Sequence, residues 1–383
     1  MAEVVAHQLL KRFGAVTAVN AIDLSIGDGE FVFLLGPSGC GKTTTLRMIA
    51  GLEMPTSGKI TIGGRNVTFL RARYRNVGMV FQDYGLYRHM TVFGNIAYPL
   101  KVRRMSRAEI RRRVGEVAAT LRIADILDQR PDDLAGGQLQ RVAIARMLVR
   151  DADVFLMDEP MSHLDAQLRG HMRAELRHLQ KQLGVTTVFV THDQLEAMTM
   201  ADRIIVMRSG NLHQYGTPQE VFERPDDQFV ATFVGEPQMN ILSCTIEEDG
   251  GEPAACGPGF RAPLDRAWLG QCQRAARNHP LRLGIRPEHV SLRETPDDEH
   301  TIPAELIAFE ATGTENLFIV KCGEAEITAC MPRHASARFA RSEGSRYFLR
   351  FDPAWLYLFD GESGWTLAHA VGSRSASVRE PRA

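Results

Sequence analysis

Eight consecutive residues, Gly36-Pro37-Ser38-Gly39-Cys40-Gly41-Lys42-Thr43, have the types and spacing needed to hold a polyphosphate. The pattern G-x-x-x-x-G-K-[ST] falls between an apolar run, Phe31 to Leu35, and a segment that reads as a helix from Lys42. Glycines let backbone N–H groups curl around phosphate oxygens, and the positive end of the following helix adds to the attraction. Lys42 has the reach for the β- and γ-phosphates, and the Thr43 hydroxyl can ligate Mg²⁺. Thr44 completes the set expected to bind ATP.

A second constellation lies downstream. Val154 to Met157 is an apolar strand that ends in two carboxylates, Asp158 and Glu159. Such a pair is often structural, but after a phosphate loop it divides the labour. Asp158 is expected to hold Mg²⁺ through water, and Glu159 to orient and deprotonate the attacking water. An enclosed site with phosphate nearby raises a glutamate's pKa, which suits it to act as a base. Thr187 to Val190 leads to His192, expected to donate to the γ-phosphate.

These groups need elements to carry them. Val19, Ala21, Ile22, Leu24 and Ile26 alternate as a strand, and Gly27-Asp28-Gly29 turns the chain. Phe31 to Leu35, Val154 to Met157, Thr187 to Val190 and Ile204 to Met207 read as buried strands separated by helices. That order predicts an α/β fold with a mainly parallel sheet. From Tyr84 to Asp133 the reading is helical, with Ile110, Val114, Val117 and Leu121 on one apolar face. Arg103, Arg104, Arg107, Arg111, Arg112 and Arg113 lie mostly off that face and read as solvated, because no aromatics are interleaved as in an RNA-binding patch. After Pro237 short β-rich segments dominate, among them Leu281 to Ile285, Glu305 to Phe309, Leu317 to Val320, and alternating Tyr347, Leu349 and Phe351. Gly250-Gly251 and Gly257-Pro258-Gly259 mark turns between such segments, and the whole predicts a small barrel or sandwich.

Composition sets the outer bounds. The 383 residues suggest two or three domains, and 44% apolar with 24% charged residues is ordinary for a soluble globular chain. A net charge of −1 gives no reason to expect nucleic acid or an anionic membrane surface as partner. Cys40, Cys244, Cys256, Cys272, Cys322 and Cys330 show no metal spacing and read as free thiols in a reducing compartment. The first residues do not read as a signal peptide, and the apolar run Phe31 to Leu35 is far short of the roughly 18–20 residues a spanning helix needs.

With these motifs in place, the chain resembles the ATP-binding-cassette (ABC) ATPases. Leu134-Ala135-Gly136-Gly137-Gln138 looks like the family signature LSGGQ, which faces the nucleotide held by a partner subunit. Phe81-Gln82 looks like the glutamine loop, where Gln82 would contact Mg²⁺ and the water and sense the transport subunits. Ser162-His163-Leu164-Asp165 looks like the D-loop at the dimer interface, with Ser162 and Asp165 carrying the match, and His192 looks like the switch histidine. Phe13 sits where the family puts an aromatic that stacks on adenine. The resemblance implies a nucleotide-binding domain over residues 1–235, with a helical subdomain at about 84–150. Gly235-Glu236-Pro237-Gln238-Met239-Asn240 and Gly284-Ile285-Arg286-Pro287-Glu288-His289 resemble the oligonucleotide/oligosaccharide-binding (OB)-like regulatory domain that follows in carbohydrate importers, placed at 236–370 before a loose tail, 371–383.

The resemblance further implies a head-to-tail dimer, each ATP clamped between Lys42 of one copy and Gly136-Gly137 of the other. It implies two transmembrane permease subunits, an extracytoplasmic solute-binding protein acting indirectly, and a peripheral position on the cytoplasmic face of the membrane. A sugar-like solute is expected; polyamine and iron importers share a similar arrangement. A soluble ABC ATPase is disfavoured, since paired cassettes and a coiled-coil insertion are missing. Ala135 keeps a nucleotide-sensing switch in view, because alanine lacks the signature serine's hydroxyl, and slower hydrolysis is expected. Arg88, Leu139 and His163 also depart from the family pattern. Cys40, inside the phosphate loop, is expected to react with thiol reagents and to be protected by ATP.

Overall fold

The computed structural model describes residues 2–249, 252–268, 280–296, 301–339 and 341–370. The chain divides into two units, Met1–Pro218 and Gln219–Ala383.

In the first unit, β1 (Val4–Phe13) and β2 (Val16–Ile26) form an antiparallel hairpin, followed by β3 (Phe31–Leu35) and α1 (Lys42–Ala50). Then come β4 (Ser57–Ile62), β5 (Arg65–Asn66), β6 (Val77–Val80) and three helices, α2 (Val92–Val102), α3 (Arg107–Thr120) and α4 (Gly136–Leu148). The unit continues with β7 (Val154–Asp158), α5 (Ala166–Leu183), β8 (Thr186–Val190), α6 (Gln194–Met200), β9 (Arg203–Arg208) and β10 (Asn211–Gly216). Strands β3, β7 and β8 are buried along their whole length, as an apolar run covered on both faces must be. They lie inside a sheet ordered β10-β9-β3-β8-β7-β6, parallel except for β10. Phe33 and Phe189 pair across β3 and β8 with their rings stacked 4.5 Å apart.

A second, antiparallel sheet, β2-β1-β4-β5, covers this one and was not legible in the sequence beyond β2. Val4, Leu24, Ile60, Leu34, Ile49 and Val190 belong to one core that joins both sheets to α1. Arg75 fixes the approach to β6. Its fully buried guanidinium donates to the carbonyls of Met48, Ile49, Thr68 and Leu70 at 2.7–3.0 Å, closing the C-terminal end of α1, and burial pulls its pKa down to about 10.

On α3, Ile110, Val114 and Ala118 are buried, while Val117, expected on that face, is only half-buried. The arginine run is solvated and paired: Arg112 bridges Glu109 and Glu116, and Arg113 bridges Glu109 and Asp151.

The second unit opens with most of α7 (Pro218–Glu223) and with α8 (Gln228–Phe233). The strands follow: β11 (Asn240–Asp249), β12 (Glu252–Gly257), β13 (Phe260–Pro263), β14 (Leu281–Ile285), β15 (Val290–Arg293), β16 (Ile302–Ala311), β17 (Glu315–Cys322), β18 (Ala325–Pro332), β19 (Arg346–Phe351), β20 (Leu356–Asp360) and β21 (Thr366–His369). They form two antiparallel sheets, β13-β12-β11-β14-β20-β21 and β15-β19-β16-β17-β18. Trp268, Leu283, Leu306, Phe318 and Leu349 share one core.

The placement of residues 219–234 in the second unit has a local cause. Arg286 lies over the Phe222 ring at 3.7 Å and donates to the carbonyls of Phe222 and Val234, and the Tyr357 hydroxyl donates to the Glu223 carbonyl. These bonds fasten residues 222–234 to the β-rich unit. Gly257-Pro258-Gly259 turns β12 into β13. Gly250-Gly251, Cys272 and the tail 371–383 lie outside the described residues.

Candidate active site

The phosphate loop leaves β3 at Gly36 and enters α1 at Gly41. Gly41 has φ +107°, and a Cβ there would stand 2.4 Å from the Ala18 carbonyl of β2, so only glycine fits. Pro37, Ser38 and Gly39 are exposed, while Gly36, Cys40 and Lys42 are buried. The Lys42 ammonium donates to the carbonyls of Gly36 at 2.6 Å and Pro37 at 2.9 Å, with Cys40 Sγ at 3.8 Å. The Thr43 hydroxyl donates to Asp158 Oδ1 at 3.0 Å. Thr44, half-buried, lies next to it in the first turn of α1, and Thr45 closes the turn by donating to the Gly41 carbonyl. Burial raises the Asp158 pKa, against the pull of the Thr43 hydrogen bond.

Glu159 follows directly, with φ 44°, a conformation a non-glycine residue holds only at a cost. Its N–H donates to the Val190 carbonyl of β8, and its carbonyl accepts from the Ser162 N–H and hydroxyl. Those bonds hold the strained turn. Glu159 Oε2 then lies 3.4 Å from His192 Nδ1 and 3.5 Å from Gln82 Nε2. Gln82, Glu159 and His192 come from three separate connections at the ends of β6, β7 and β8.

Behind this group, Asp165 caps α5 by accepting from the Leu168 N–H. Asp193 caps α6, and the Thr191 hydroxyl donates to the buried Glu196 at 2.6 Å. Arg169 joins Asp193 to the Leu164 carbonyl. Sequence reading missed Arg169, Asp193 and Glu196; the Asp-x-x-Glu spacing after an apolar strand was the available signal for the cap.

Phe13 is 48% exposed at the β1–β2 hairpin, with Lys11 Nζ 4.6 Å from its ring centre, so it is a surface aromatic and not a core one. Ala135 is the N-cap residue of α4 with no side chain to cap it; Gln138 Oε1 accepts the Ala135 N–H at 3.0 Å, which is half of a capping box. Ala135 and Gly136 are exposed, while Gly137 is packed so that a Cβ would meet the Leu168 side chain at 2.7 Å. Among the described residues no hydrogen bond or ion pair links this segment to the phosphate loop, Asp158, Glu159 or His192.

A groove of about 440 Å³ opens beside Phe81 and Gly85, lined by Leu52, Tyr87, Tyr98 and Val102 and edged by Arg73, Arg103, Arg146 and Arg150. Buried Asn95 shapes its wall by binding the N–H and carbonyl of Tyr87 and the carbonyl of Thr91. Arg88 pairs with Asp132 in the open, and Leu139 has no structural explanation.

The family profile described as ABC transporter matches residues 19–162, the MalK OB fold domain matches 235–290, and the TOBE domain matches 283–359. The trehalose/maltose import ATP-binding protein MalK of Thermococcus litoralis is 45% identical over 95% of this chain and 99% of its own length. The chain belongs to the ABC transporter family of ATP-binding proteins. Similar matches are the sn-glycerol-3-phosphate import ATP-binding protein UgpC of Yersinia enterocolitica, 44% identical over 92% of this chain and 95% of that one, and the xylose/arabinose import ATP-binding protein XacJ of Haloferax volcanii, 44% identical over 95% of each. A dimeric post-hydrolysis structure of the ATP-binding cassette MJ0796, bound to ADP and Pi, covers 56% of this chain and 98% of its own at 32% identity and a TM-score of 0.51. This ABC protein is therefore an ATPase, with an α/β cassette containing inserted helices and a β-rich OB-like region after it. No helix among its described residues is long and apolar enough to cross a membrane.

Proposed function

We propose that this chain is the ATP-hydrolysing subunit of an importer for a sugar or sugar-like solute, working as a head-to-tail dimer beneath two permeases on the cytoplasmic face of the membrane. The convergence of Gln82 and His192 on Glu159, beside the Thr43–Asp158 hydrogen bond, carries the reading. Relatives named for trehalose/maltose, glycerol phosphate and xylose/arabinose import support the solute class, and the dimeric cassette structure supports the assembly.

Gly36 to Thr44 surround the triphosphate, Phe13 stacks on adenine, and Ala135 to Gln138 of a second copy close over the nucleotide. Among the described residues no three His, Cys, Asp or Glu side chains could form a metal cage. A hydroxyl at Thr43, a carboxylate at Asp158 and an amide at Gln82 instead fit Mg²⁺, which keeps waters and takes phosphate oxygens as ligands. When bound with ATP, Mg²⁺ neutralises charge on the β- and γ-phosphates. Glu159 takes a proton from the attacking water as the new O–P bond forms at the γ-phosphorus and the bond to the β–γ bridging oxygen breaks, which releases ADP and phosphate. Gln82 orients that water and His192 donates to the γ-phosphate. The groove beside Tyr87 receives a helical segment of each permease, and the external solute-binding protein acts only through those permeases.

Replacing Glu159 with Gln tests the chemistry. Turnover should fall about 10²- to 10⁴-fold while MgATP binding and dimer closure persist. Unchanged turnover, or failure to close over MgATP, would remove the mechanism. The solute is tested separately by purifying the assembled transporter and asking which compound stimulates its ATPase; stimulation by a polyamine or ferric iron alone would overturn the sugar assignment.

A further inference from the structure

His163 of the D-loop, an unusual residue for its position, meets Tyr84 of the glutamine loop edge-on. Their ring centroids are 6.3 Å apart and their planes cross at 74°. Tyr84 is buried, and φ is positive both there and at Gly85. Its carbonyl accepts from Arg146 Nη2 at 2.8 Å, and the Gly85 carbonyl accepts from Nη1 at 2.6 Å. Arg146 belongs to the last turn of α4, the helix that begins at the signature. The glutamine loop is thus clamped to the signature helix through its backbone, which fixes the Tyr84 ring. Among the described residues the Tyr84 hydroxyl has no hydrogen-bond partner, so the ring contact rather than the hydroxyl is what this side chain supplies. On the other side of His163, the Leu164 carbonyl is held by Arg169, and Arg169 pairs with Asp193 at 3.3 Å, one residue from His192.

We propose that the Tyr84–His163 ring pair is a positioning device for hydrolysis, setting the D-loop against the glutamine loop and, through Arg169 and Asp193, the placement of His192. It rests on the ATPase mechanism above. Both residues are positioning residues, since neither ring is bonded to Glu159 or His192. The contact also gives the permease groove, whose wall includes Gly85 and Arg146, a physical route to the D-loop. A displacement of the 81–85 turn shifts Tyr84, and His163 shifts with it.

A double-mutant cycle on the full chain reads this directly, with kcat and KM for ATP measured for the wild type, Tyr84→Leu, His163→Ala and the double variant. Each single change should lower kcat about three- to tenfold, the worth of an aromatic pair, with KM for ATP held within about twofold. The double variant should be no slower than the slower single one. Tyr84→Phe and His163→Phe, which keep the rings, should restore turnover. Additive losses, a His163→Ala kcat equal to wild type, or failure of both phenylalanine variants would overturn the proposal. If Tyr84→Leu does not fold, the contrast between His163→Ala and His163→Phe carries the test. A wild type that hydrolyses ATP but shows no coupling between the rings sinks this inference alone; a wild type without hydrolysis sinks the mechanism as well.

Discussion

The Thr43 hydroxyl donates to Asp158 Oδ1, so the first turn of α1 and the end of β7 are already joined at the point where a metal-bound triphosphate would sit. The arrangement costs stability, because Asp158 is 5% exposed and burial raises its pKa above 3.8. A carboxyl held more tightly protonated in the folded state stabilises the fold fully below its unfolded pKa. That contribution is lost as pH rises through the folded pKa, and at neutral pH the ionised group is a net cost. Asp158→Asn should therefore raise Tm at pH 7 and remove the fall in stability that accompanies ionisation of this carboxyl as pH rises from its ordinary value. The same variant should lose most of the Tm rise that MgATP gives the wild type, about 2.7 kcal/mol at a hundred times Kd. Thermal scans with and without MgATP check both; a lower Tm for Asp158→Asn would refute the burial argument.

Cys40 has the position expected of an ATP-protected thiol but not the access. It is 3% exposed, beneath the loop and beside Lys42. Burial pushes Cys322 and Cys330 up to about 12, so those two stay protonated and slow. Alkylation of Cys40, Cys322 and Cys330 in the folded chain should be slow, and MgATP should slow modification of Cys40 about tenfold further by holding the loop closed over it. Peptide mapping after timed alkylation reads each site. Cys40 modification indifferent to MgATP would remove it from the nucleotide loop.

Much of the cassette was legible because its chemistry is local. The phosphate loop is contiguous, and the four buried strands are short apolar runs bounded by turns, so residue type alone placed Lys42, Asp158 and Glu159 at their ends. The antiparallel sheet was less legible: β1 carries Lys11 and Arg12 and leaves four of its ten residues exposed, and its pairing with β4 joins residues some fifty positions apart. Arg75 could not be found in advance, since a lone arginine gives no sign that four carbonyls surround it. His163 was visible as an oddity, but its partner Tyr84 lies in a different loop and only the fold brings the rings together.

Arg75 makes a prediction for stability alone. Its guanidinium satisfies four carbonyls in a buried pocket against Gly51, where a Cβ would approach Nε to 2.4 Å. Arg75→Met leaves those acceptors dry and should cost about 3–5 kcal/mol. Arg75→Lys, with one donor head in place of a planar fork, should recover less than half of that loss. Urea midpoints at constant m-value decide it, and a loss below 1 kcal/mol for Arg75→Met would show that water replaces the guanidinium.

The signature offers a test in which stability and turnover can be separated. Ala135 has the extended backbone of an N-cap, and Gln138 already reaches back to its N–H, so a hydroxyl at position 135 would complete the capping box with the Gln138 N–H. Ala135→Ser should stabilise the cassette by about 0.5–2 kcal/mol without nucleotide. If the segment also closes over a partner's γ-phosphate, the same hydroxyl gives a hydrogen bond worth about 1 kcal/mol in the transition state, and turnover should rise about fivefold. The two effects have different signatures, Tm of the free chain for the cap and kcat of the MgATP-closed dimer for the phosphate contact. A variant that gains Tm but not kcat would leave Ala135 as a helix cap only, and the clamp would then depend on the Gly136 and Gly137 N–H groups.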